Sequence, residues 1–475
     1  MRNFPLLLLL AGLAGCVTLP PMKSLQTELP TTWPEIDANS KSGNQTNPAD
    51  SIAAEWWRAY ASPALDQLMA EALSHNHDLR LAAARIEEAR ANLGLAEADR
   101  FPEVQLGADA GRSKITGKGS TPLPAGTPLA NNHFKLNLQA AWEVDLWGRY
   151  RAASEAARTE MLASEFARHA IRASLTSAVA QSYFDLAALD ANTRLAQNTL
   201  ANRRDAVNLH RLRFEAGIAS ELVLRQAEAE QAGIEASLAQ LARQTRSREL
   251  ALAQLLGRQP RAIAEGANLH NGNLFELTLP PAIPAGLPSD LLTRRPDLRQ
   301  AEQNLLASQA RIRNTAAAIY PNLALTANLG SESKALADLF SGPAGIWGLA
   351  AGLTQTVFNA GRTEAAVQAA GARQDQALIA YEQTVQTAFK EVLDALVAHR
   401  QASESGRAEA NRIKALERAT ELADLRFQRG LSSYLEVLDA RRNLFQAEQN
   451  GIEARREQLA TSAELFKALG GGWEQ

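Results

Sequence analysis

Few side chains in this sequence are placed to do catalytic or metal chemistry. The chain has one cysteine and seven histidines, and only His75 and His77 lie close together. Two residues apart on a helix, these histidines would point from different faces, so a metal pair is not expected. There is no Gly-x-Ser-x-Gly elbow, and the glycines lack the spacing of a phosphate-binding loop. The sequence therefore indicates neither an enzyme nor a metal site.

A second candidate lies near the end of the chain. Leu435, Asp439 and Arg442 are spaced by four and then three residues, so one face of a helix would carry all three. Aspartate and arginine at this spacing are also common on ordinary solvated helix faces. The spacing alone therefore assigns no function.

Composition points to long helices. The chain has 475 residues, of which 46% are hydrophobic, 21% charged and 5% aromatic. Ala, Leu, Arg, Glu and Gln fill long stretches, as they do in extended helices. The 49 basic and 52 acidic residues nearly cancel, so no nucleic-acid partner is expected.

The amino terminus has the pattern of a sorting signal. One basic residue, a short apolar run and small residues precede Cys16, so residues 1–15 are predicted to be a secretory signal peptide. The segment Leu13-Ala14-Gly15-Cys16 resembles the bacterial lipobox, which implies diacylglycerol and N-acyl groups on Cys16. We expect no other cofactor. Val17 stands where many inner-membrane lipoproteins have aspartate, so the outer membrane is expected. The rest of the chain has no apolar stretch of about 18 residues, so any further membrane crossing would need strands.

The chain is an internal duplication. With a shift of 213 residues, Ala206–Leu222 lies over Ala419–Leu435 with eight identities in seventeen positions. Earlier in each half a shift of 219 applies and places Asp78 on Asp297. The predicted repeats are 61–257 and 290–470, joined by a proline-rich connector at 258–289. Matching glycines and prolines argue against chance similarity between alanine-rich helices.

Each repeat contains two predicted strands, at about 103–111 and 134–146 and again at about 321–330 and 346–358. From Phe134 to Leu146 apolar residues alternate with polar ones, a period of two that a helix cannot match. Such strands suit either a soluble sheet or a transmembrane barrel. Four strands are too few to close a barrel, because the smallest have about eight. If they cross a membrane, several chains must share one barrel.

Very long helices follow the strands. Residues 149–213 and 361–427 contain no proline, and shorter return helices are predicted at 219–256 and 432–469. At 1.5 Å per residue, about 65 residues make a rod near 100 Å, which needs lateral packing of the coiled-coil kind. Gly217 and Gly430 mark the turns between each rod and its return helix.

Several of these segments together resemble the TolC-like outer-membrane factors, and more closely their NodT-type lipoprotein branch. The resemblance covers essentially the whole mature chain. It is carried by the lipobox, Trp56-Trp57, Leu136–Arg149, Leu287–Arg299, the two tips Arg213–Gly217 and Arg426–Gly430, and the ending Leu469–Trp473.

The resemblance implies a mixed α/β membrane protein that forms a homotrimer. A twelve-stranded β-barrel, with four strands from each chain, would be continuous with a twelve-helix periplasmic α-barrel. Residues 16–60, the connector and the C-terminal tail 471–475 would form an equatorial belt. The implied function is a passive outer-membrane duct that exports small molecules such as drugs. Its implied partners are a periplasmic adaptor and an inner-membrane transporter of the RND type.

The resemblance also implies sites. Leu435, Asp439 and Arg442 would line the periplasmic gate, with Arg442 within reach of Asp439 as a partner, inside one subunit or between two. The first repeat has Leu222, Gln226 and Ala229 at these positions, so the charged constriction would belong to the second repeat. The tips at Gly217 and Gly430 would receive the adaptor.

Two other functions also fit the sequence. A coiled-coil envelope lipoprotein could serve as a structural scaffold, although a scaffold needs no amphipathic strands. An outer-membrane component for protein secretion would share the duct's architecture, and the lipobox favours small-molecule efflux only by analogy.

Overall fold

The computed structural model describes residues 30, 54–120, 122–265, 272–280 and 288–471. The signal peptide, Cys16 and the last residues of the tail lie outside these ranges. None of the helices within them combines the length and apolarity that crossing a membrane requires. In chain order the main elements are α1 (Pro63–His75), α2 (His77–Ala98), β1 (Glu103–Lys114), β2 (Ala130–Val144), α3 (Arg149–Glu215), α4 (Glu221–Leu255), α5 (Pro260–Glu265), α6 (Leu291–Arg294), α7 (Pro296–Ala317), β3 (Asn322–Ser333), β4 (Gly345–Thr354), α8 (Arg362–Gln428) and α9 (Tyr434–Ala468).

The chain divides into two compact units. One takes in Ile86–Ala163 and Ala301–Tyr381, and it contains all four described strands. The other takes in Ser164–Gln300 and Glu382–Gln475, together with the segment that ends at Arg85, and its described part is helical. The boundary falls inside four helices, α2, α3, α7 and α8.

The strands form one antiparallel sheet in the order β1-β2-β3-β4. Pairing of β1 with β2 extends to Lys114 opposite Ala130, so β2 begins four residues before the predicted start at 134. Residues 130–133 do not continue the apolar alternation that predicted the strand, but their backbone still pairs with β1. β4 ends at Thr354 rather than near 358, and the side chain of the next residue, Gln355, donates to the Ile319 carbonyl (3.0 Å).

The duplication is preserved element by element. α2 and α7 have 22 residues each, and β1 and β3 have 12 each, and both pairs are offset by 219 positions. α3 and α8 have 67 residues each, and α4 and α9 have 35 each, with an offset of 213. The six-residue difference therefore lies between the first strand and the long helix of each copy. Matching lengths in these elements indicate one structural unit used twice.

The opening helix of the first repeat is broken, which the sequence did not predict. Asn76 separates α1 from α2, and its side-chain oxygen accepts from the backbone N–H groups of Asp78 (2.8 Å) and Leu79 (3.1 Å). Its amide donates to the carbonyl of Leu255 (2.8 Å) at the end of α4. An asparagine that caps a helix start can interrupt a helix without proline or glycine.

The second repeat builds the same junction from different side chains. Arg295, the counterpart of Asn76, donates to the carbonyl of Ala468 (3.0 Å) at the end of α9. This buried guanidinium also pairs with Asp297 (2.6 Å) and Glu391 (2.6 Å). Burying an unpaired charge costs free energy, and the two carboxylates offset this cost for Arg295. The end of each return helix is thus tied to the break before its repeat's second helix.

The main core of the helical unit joins the two repeats. Trp56 stacks on Phe466 with ring centroids 5.0 Å apart, and the Tyr60 hydroxyl lies 2.7 Å from Ser462 Oγ. Tyr60 also meets Phe184 of α3 edge to face at 4.9 Å. Aromatic pairs of this kind are worth about 0.5–1.5 kcal/mol beyond their buried area. The segment before α1 therefore fastens α3 to α9.

Candidate functional site

Each hairpin tip turns on a glycine in the left-handed conformation. Gly217 has φ 70° and Gly430 has φ 73°. The N–H of the next residue donates back to the last turn of the long helix, from Ile218 to the Arg213 carbonyl (2.8 Å) and from Leu431 to the Arg426 carbonyl (2.9 Å). This pattern is the Schellman cap. A Cβ at either glycine would meet no atom within 4 Å, so backbone conformation rather than packing requires glycine here.

Apolar side chains are exposed beside both glycines. Ile218 is 77% exposed and Leu431 is 65% exposed. Leu222 and Leu435, at the start of the return helices, are exposed as well. Exposed apolar residues grouped at a loop are typical of surfaces that meet a partner. Both tips have this character.

Leu435, Asp439 and Arg442 share the exposed face of α9, and we call this set the candidate gate face. The opposite face of the same turns is buried through Tyr434, Val437 and Leu438. The structure thus places the three predicted residues side by side on a surface that the described part of one chain leaves uncovered.

Arg442 pairs with Glu230 of α4 and not with Asp439. Its Nε donates to Glu230 Oε1 over 2.6 Å, and this bond raises the pKa of the Arg442 guanidinium. Glu230 itself is mostly covered, with its side chain 12% exposed. Asp439 instead accepts from the Asn443 side chain (3.2 Å) one turn further along. The link therefore joins the return helices of the two repeats.

Sequence reasoning missed Glu230 because nothing local marks it. The residue is 212 positions from Arg442 and belongs to a helix with many other glutamates. Its covered side chain is visible only once α4 and α9 are packed together.

An aromatic cluster supports the candidate gate face from behind. The His210 ring of α3 meets Tyr434 edge to face at 4.4 Å, and Phe427 of α8 lies 5.3 Å from Tyr434. Arg441 of α9 pairs with Asp424 of α8 at 2.9 Å, which adds a second tie between these helices. The cluster fixes the first turns of α9, and the apolar periodicity of that helix was the only sequence signal for it.

The sheet has one apolar and one polar face. A row of directly opposed, exposed residues crosses all four strands on the apolar face: Leu106, Leu138, Leu329 and Trp347. The neighbouring row on the other face is Gln105, Gln139, Asn328 and Gly348. A continuous exposed apolar row of this kind suits contact with hydrocarbon. Each of the two edge strands, β1 and β4, pairs on one side only within the described residues.

The two neighbouring histidines flank the break after α1. The Nδ1 atom of His75 lies 2.6 Å from the Ser74 hydroxyl and 3.2 Å from the Glu71 carbonyl. Among the described residues, no group of three or more His, Cys, Asp or Glu side chains is arranged to hold a metal ion. The predicted lipidation site, Cys16, is outside the part of the chain that the structure describes.

Comparisons with known proteins agree on one family. The family model described as outer membrane efflux protein matches residues 68–258 and 287–471. The chain is 35% identical over 464 residues to the probable efflux pump outer membrane protein TtgC of Pseudomonas putida, covering 97% of this chain and 93% of the relative. It is 34% identical over 468 residues to the probable outer membrane lipoprotein SilC of Salmonella typhimurium, covering 97% and 96%. Its fold matches the crystal structure of the open state of the Neisseria gonorrhoeae MtrE outer membrane channel with a TM-score of 0.82 and 30% identity, over 96% of this chain and 98% of that one.

Proposed function

We propose that this chain, which belongs to the outer membrane efflux protein family, is one of three identical subunits of a duct that crosses the outer membrane. The TolC-like architecture expected from the sequence is confirmed by the family match and by the matched channel structures. The chain is an outer-membrane channel of an efflux system, and it acts in the outer membrane. Its trimeric assembly, its partners and its gate are proposals.

The sheet is the observation that carries the proposed assembly. Its order places β1 and β4 at opposite edges, and the two edge strands run antiparallel to each other. The free edge of one copy can therefore pair with the opposite edge of the next in the same antiparallel manner. In lipid, an unpaired strand edge costs several kcal/mol for each unsatisfied group, so closure is strongly favoured. Three copies supply twelve strands, an even number within the range of known barrels.

The two faces of the sheet support the same assembly. In a closed barrel the row from Leu106 to Trp347 faces lipid, and the row from Gln105 to Gly348 lines the water-filled interior. A coiled-coil scaffold would have no use for such a sheet. The scaffold alternative is disfavoured for that reason.

The proposed cargo is small molecules, and the duct is proposed to act without catalysis. The names of two relatives, TtgC and SilC, describe an efflux pump outer membrane protein and an outer membrane lipoprotein. By analogy with tripartite pumps, a periplasmic adaptor and an inner-membrane transporter of the RND type would deliver the cargo. The exposed apolar residues at the tips, Ile218 and Leu431, support a protein partner there.

Cys16 is proposed to carry the lipid anchor. Each buried methylene contributes about 0.8 kcal/mol, so two or three acyl chains would hold the chain firmly in the membrane. The similarity to the probable lipoprotein SilC over 97% of this chain supports the proposal.

The candidate gate face is proposed to close the periplasmic end. Around a threefold axis, Leu435 would form an apolar ring and Asp439 a ring of three carboxylates. Arg442 is bonded to Glu230, and the charge of the nearby Asp439 also helps to raise the pKa of Arg442, so Asp439 and Arg442 interact inside one subunit. Repulsion within the carboxylate ring would oppose closure, and the attraction of each Asp439 to Arg442, together with the Arg442–Glu230 link, is proposed to outweigh it, so that removing Asp439 weakens closure. A gate balanced in this way is easily shifted by a partner.

The assembly is tested by mass and conductance on the same sample. The full-length protein, extracted in detergent, is weighed by light scattering and then added to planar lipid bilayers. We expect a mass of three chains and ion-conducting channels. A monomer, or a trimer that never conducts, would contradict the proposal.

A further inference from the structure

A cavity of about 820 Å³ lies behind the aromatic cluster, among α3, α8 and α9. It is formed by one chain and lies entirely within the helical unit. Its lining includes apolar residues such as Leu209 and Phe445 and hydrogen-bond donors such as Asn202 and Arg203. Neither the proposed duct nor its gate uses this cavity.

Arg203 lines the cavity, and its Nε has no hydrogen bond within the described part of the chain. The residue is only 5% exposed. An isolated buried charge costs several kcal/mol, so a guanidinium is seldom left in this state unless something binds it. Burial, reinforced by the nearby charge of Arg441, lowers the pKa of Arg203. The carboxylate of Glu230 opposes this shift from nearby, but it is bonded to Arg442.

Two further buried polar groups border the same cavity. His210 is 3% exposed and Tyr434 is 5% exposed. Neither the Nδ1 atom of His210 nor the hydroxyl of Tyr434 has a hydrogen-bond partner among the described residues. Both atoms, like Nε of Arg203, are closed off from solvent, so a ligand in the cavity would bond to the two terminal nitrogens of Arg203.

The charges around the cavity leave room for an anion. Arg441 pairs with Asp424 at 2.9 Å, so the charges of these two lining residues offset each other. Burial raises the pKa of Glu448, with the nearby Glu417 adding to the effect. The remaining ionisable groups on the lining are Arg203, His210, Arg213, Asp205 and Tyr434.

We propose that this cavity is a binding site for a small oxyanion, a carboxylate or phosphate group, with Arg203 as its main ligand. A guanidinium presents parallel N–H donors that match two oxygens of such a group. The side-chain amide of Asn202, which also lines the cavity, supplies a further donor.

The test compares two adjacent arginines. Arg203→Met removes the buried ligand, whereas Arg204→Met removes the neighbouring exposed arginine, which pairs with Glu235. The thermal unfolding of the full-length protein in detergent is followed in chloride, in sulfate and in acetate at equal ionic strength and pH 7.5. Sulfate represents a phosphate group and acetate a carboxylate, so the two arms identify the preferred chemistry.

We expect at least one of the two anions to raise Tm with a saturating concentration dependence in the wild type and in Arg204→Met, and to have no saturating effect in Arg203→Met. In chloride alone, Arg203→Met is expected to melt no lower than the wild type, because an apolar side chain replaces an unpaired buried charge.

The opposite results are equally definite. If neither anion shifts the wild-type Tm beyond what Arg203→Met shows, the cavity does not bind these anions and the proposal fails. If Arg203→Met melts lower in chloride and keeps the anion response, Arg203 is a packing residue and the proposal also fails. If Arg203→Met is too unstable to melt cooperatively, its binding of the preferred anion is measured by titration calorimetry at about 10 °C, where the fold is kept. Unchanged binding in this variant would overturn the site.

Discussion

The first and second hairpin tips share a turn but differ in the helix that follows it. Gly217 and Gly430 have nearly the same φ, and both tips form the same backbone cap. At the next helix start, however, the first repeat has the exposed Glu221 where the second has the buried Tyr434. The first repeat also has Gln226 in place of Asp439. Both copies therefore keep the same turn. Only in the second copy does the return helix begin with a buried aromatic residue and carry an aspartate at position 439.

The difference separates two tasks. A turn with exposed apolar residues on both sides suits a partner that contacts both tips alike. A charged face present in only one copy occurs three times in a trimer, as a constriction on a threefold axis requires. Substitutions at the shared turn and at the unshared support should therefore have separate consequences.

The largest effect is expected where the tips are alike. Gly430→Val forces a β-branched residue into a left-handed backbone, which costs about 1–2 kcal/mol and distorts the cap. We expect this variant to abolish efflux, measured as drug accumulation in cells, while trimers still form. Gly217→Val should have the same effect, because its φ and surroundings match. Normal efflux in either variant would argue against a docking role for that tip.

A large effect on stability is expected where the tips differ. Tyr434→Ala removes a ring packed against His210 and Phe427 and should destabilise the second tip by about 3–5 kcal/mol. Glu221→Ala, at the same position of the first repeat, should change stability by less than about 0.5 kcal/mol. Hydrogen exchange of the first turns of α9 and α4 measures both. Equal protection losses in the two variants would show that the second tip has no special support.

The link between the repeats should have an intermediate effect. Glu230→Gln keeps the shape of the partner of Arg442 but removes its charge, and we expect single-channel conductance to rise about two- to fivefold as closure weakens. Glu235→Gln is the matched control, since Glu235 lies on the same helix and pairs with Arg204 instead. An increase in both variants would trace the effect to net charge rather than to the link.

The smallest effect is expected from pH. Burial lowers the pKa of His210 below its usual value near 6.5, with the charges of Arg213 and Arg441 adding to the shift. Protonation of His210 is therefore less favourable in the folded tip than in the unfolded chain. As a result, the free energy of unfolding of the tip decreases as pH falls below about 6.5. In chloride buffer, protection of the first turns of α9 should be lower at pH 5 than at pH 7.5. His210→Phe should lessen this difference, and a pH response that is unaltered in the variant would assign it to another group.

The sequence pattern predicted most of the elements but not the contacts between them. The absence of proline from residue 149 onward predicted a helix to about 213, and the structure has α3 at Arg149–Glu215. The break at Asn76 was not predicted, because a capping asparagine resembles any polar residue within a helix. The polar start of β2 was also missed, since its pairing with β1 leaves no apolar alternation.

The candidate gate face could be placed on one side of a helix from spacing alone. Its relation to other residues could not. Glu230 is 212 positions from Arg442, and Arg203 lies on a third helix, so only packing reveals that Arg442 has a covered carboxylate partner while the Nε of Arg203 has none among the described residues.

The most direct test of the gate compares two equivalent positions in one protein. Asp439→Ala removes the proposed carboxylate ring, and Gln226→Ala makes a similar truncation at the matching position of the first repeat. Single-channel conductance in planar bilayers is measured for both, together with the uptake of large antibiotics by cells. We predict that Asp439→Ala alone changes conductance severalfold and makes cells leaky. Unchanged conductance and uptake in Asp439→Ala, or equal changes in both variants, would contradict the proposed gate.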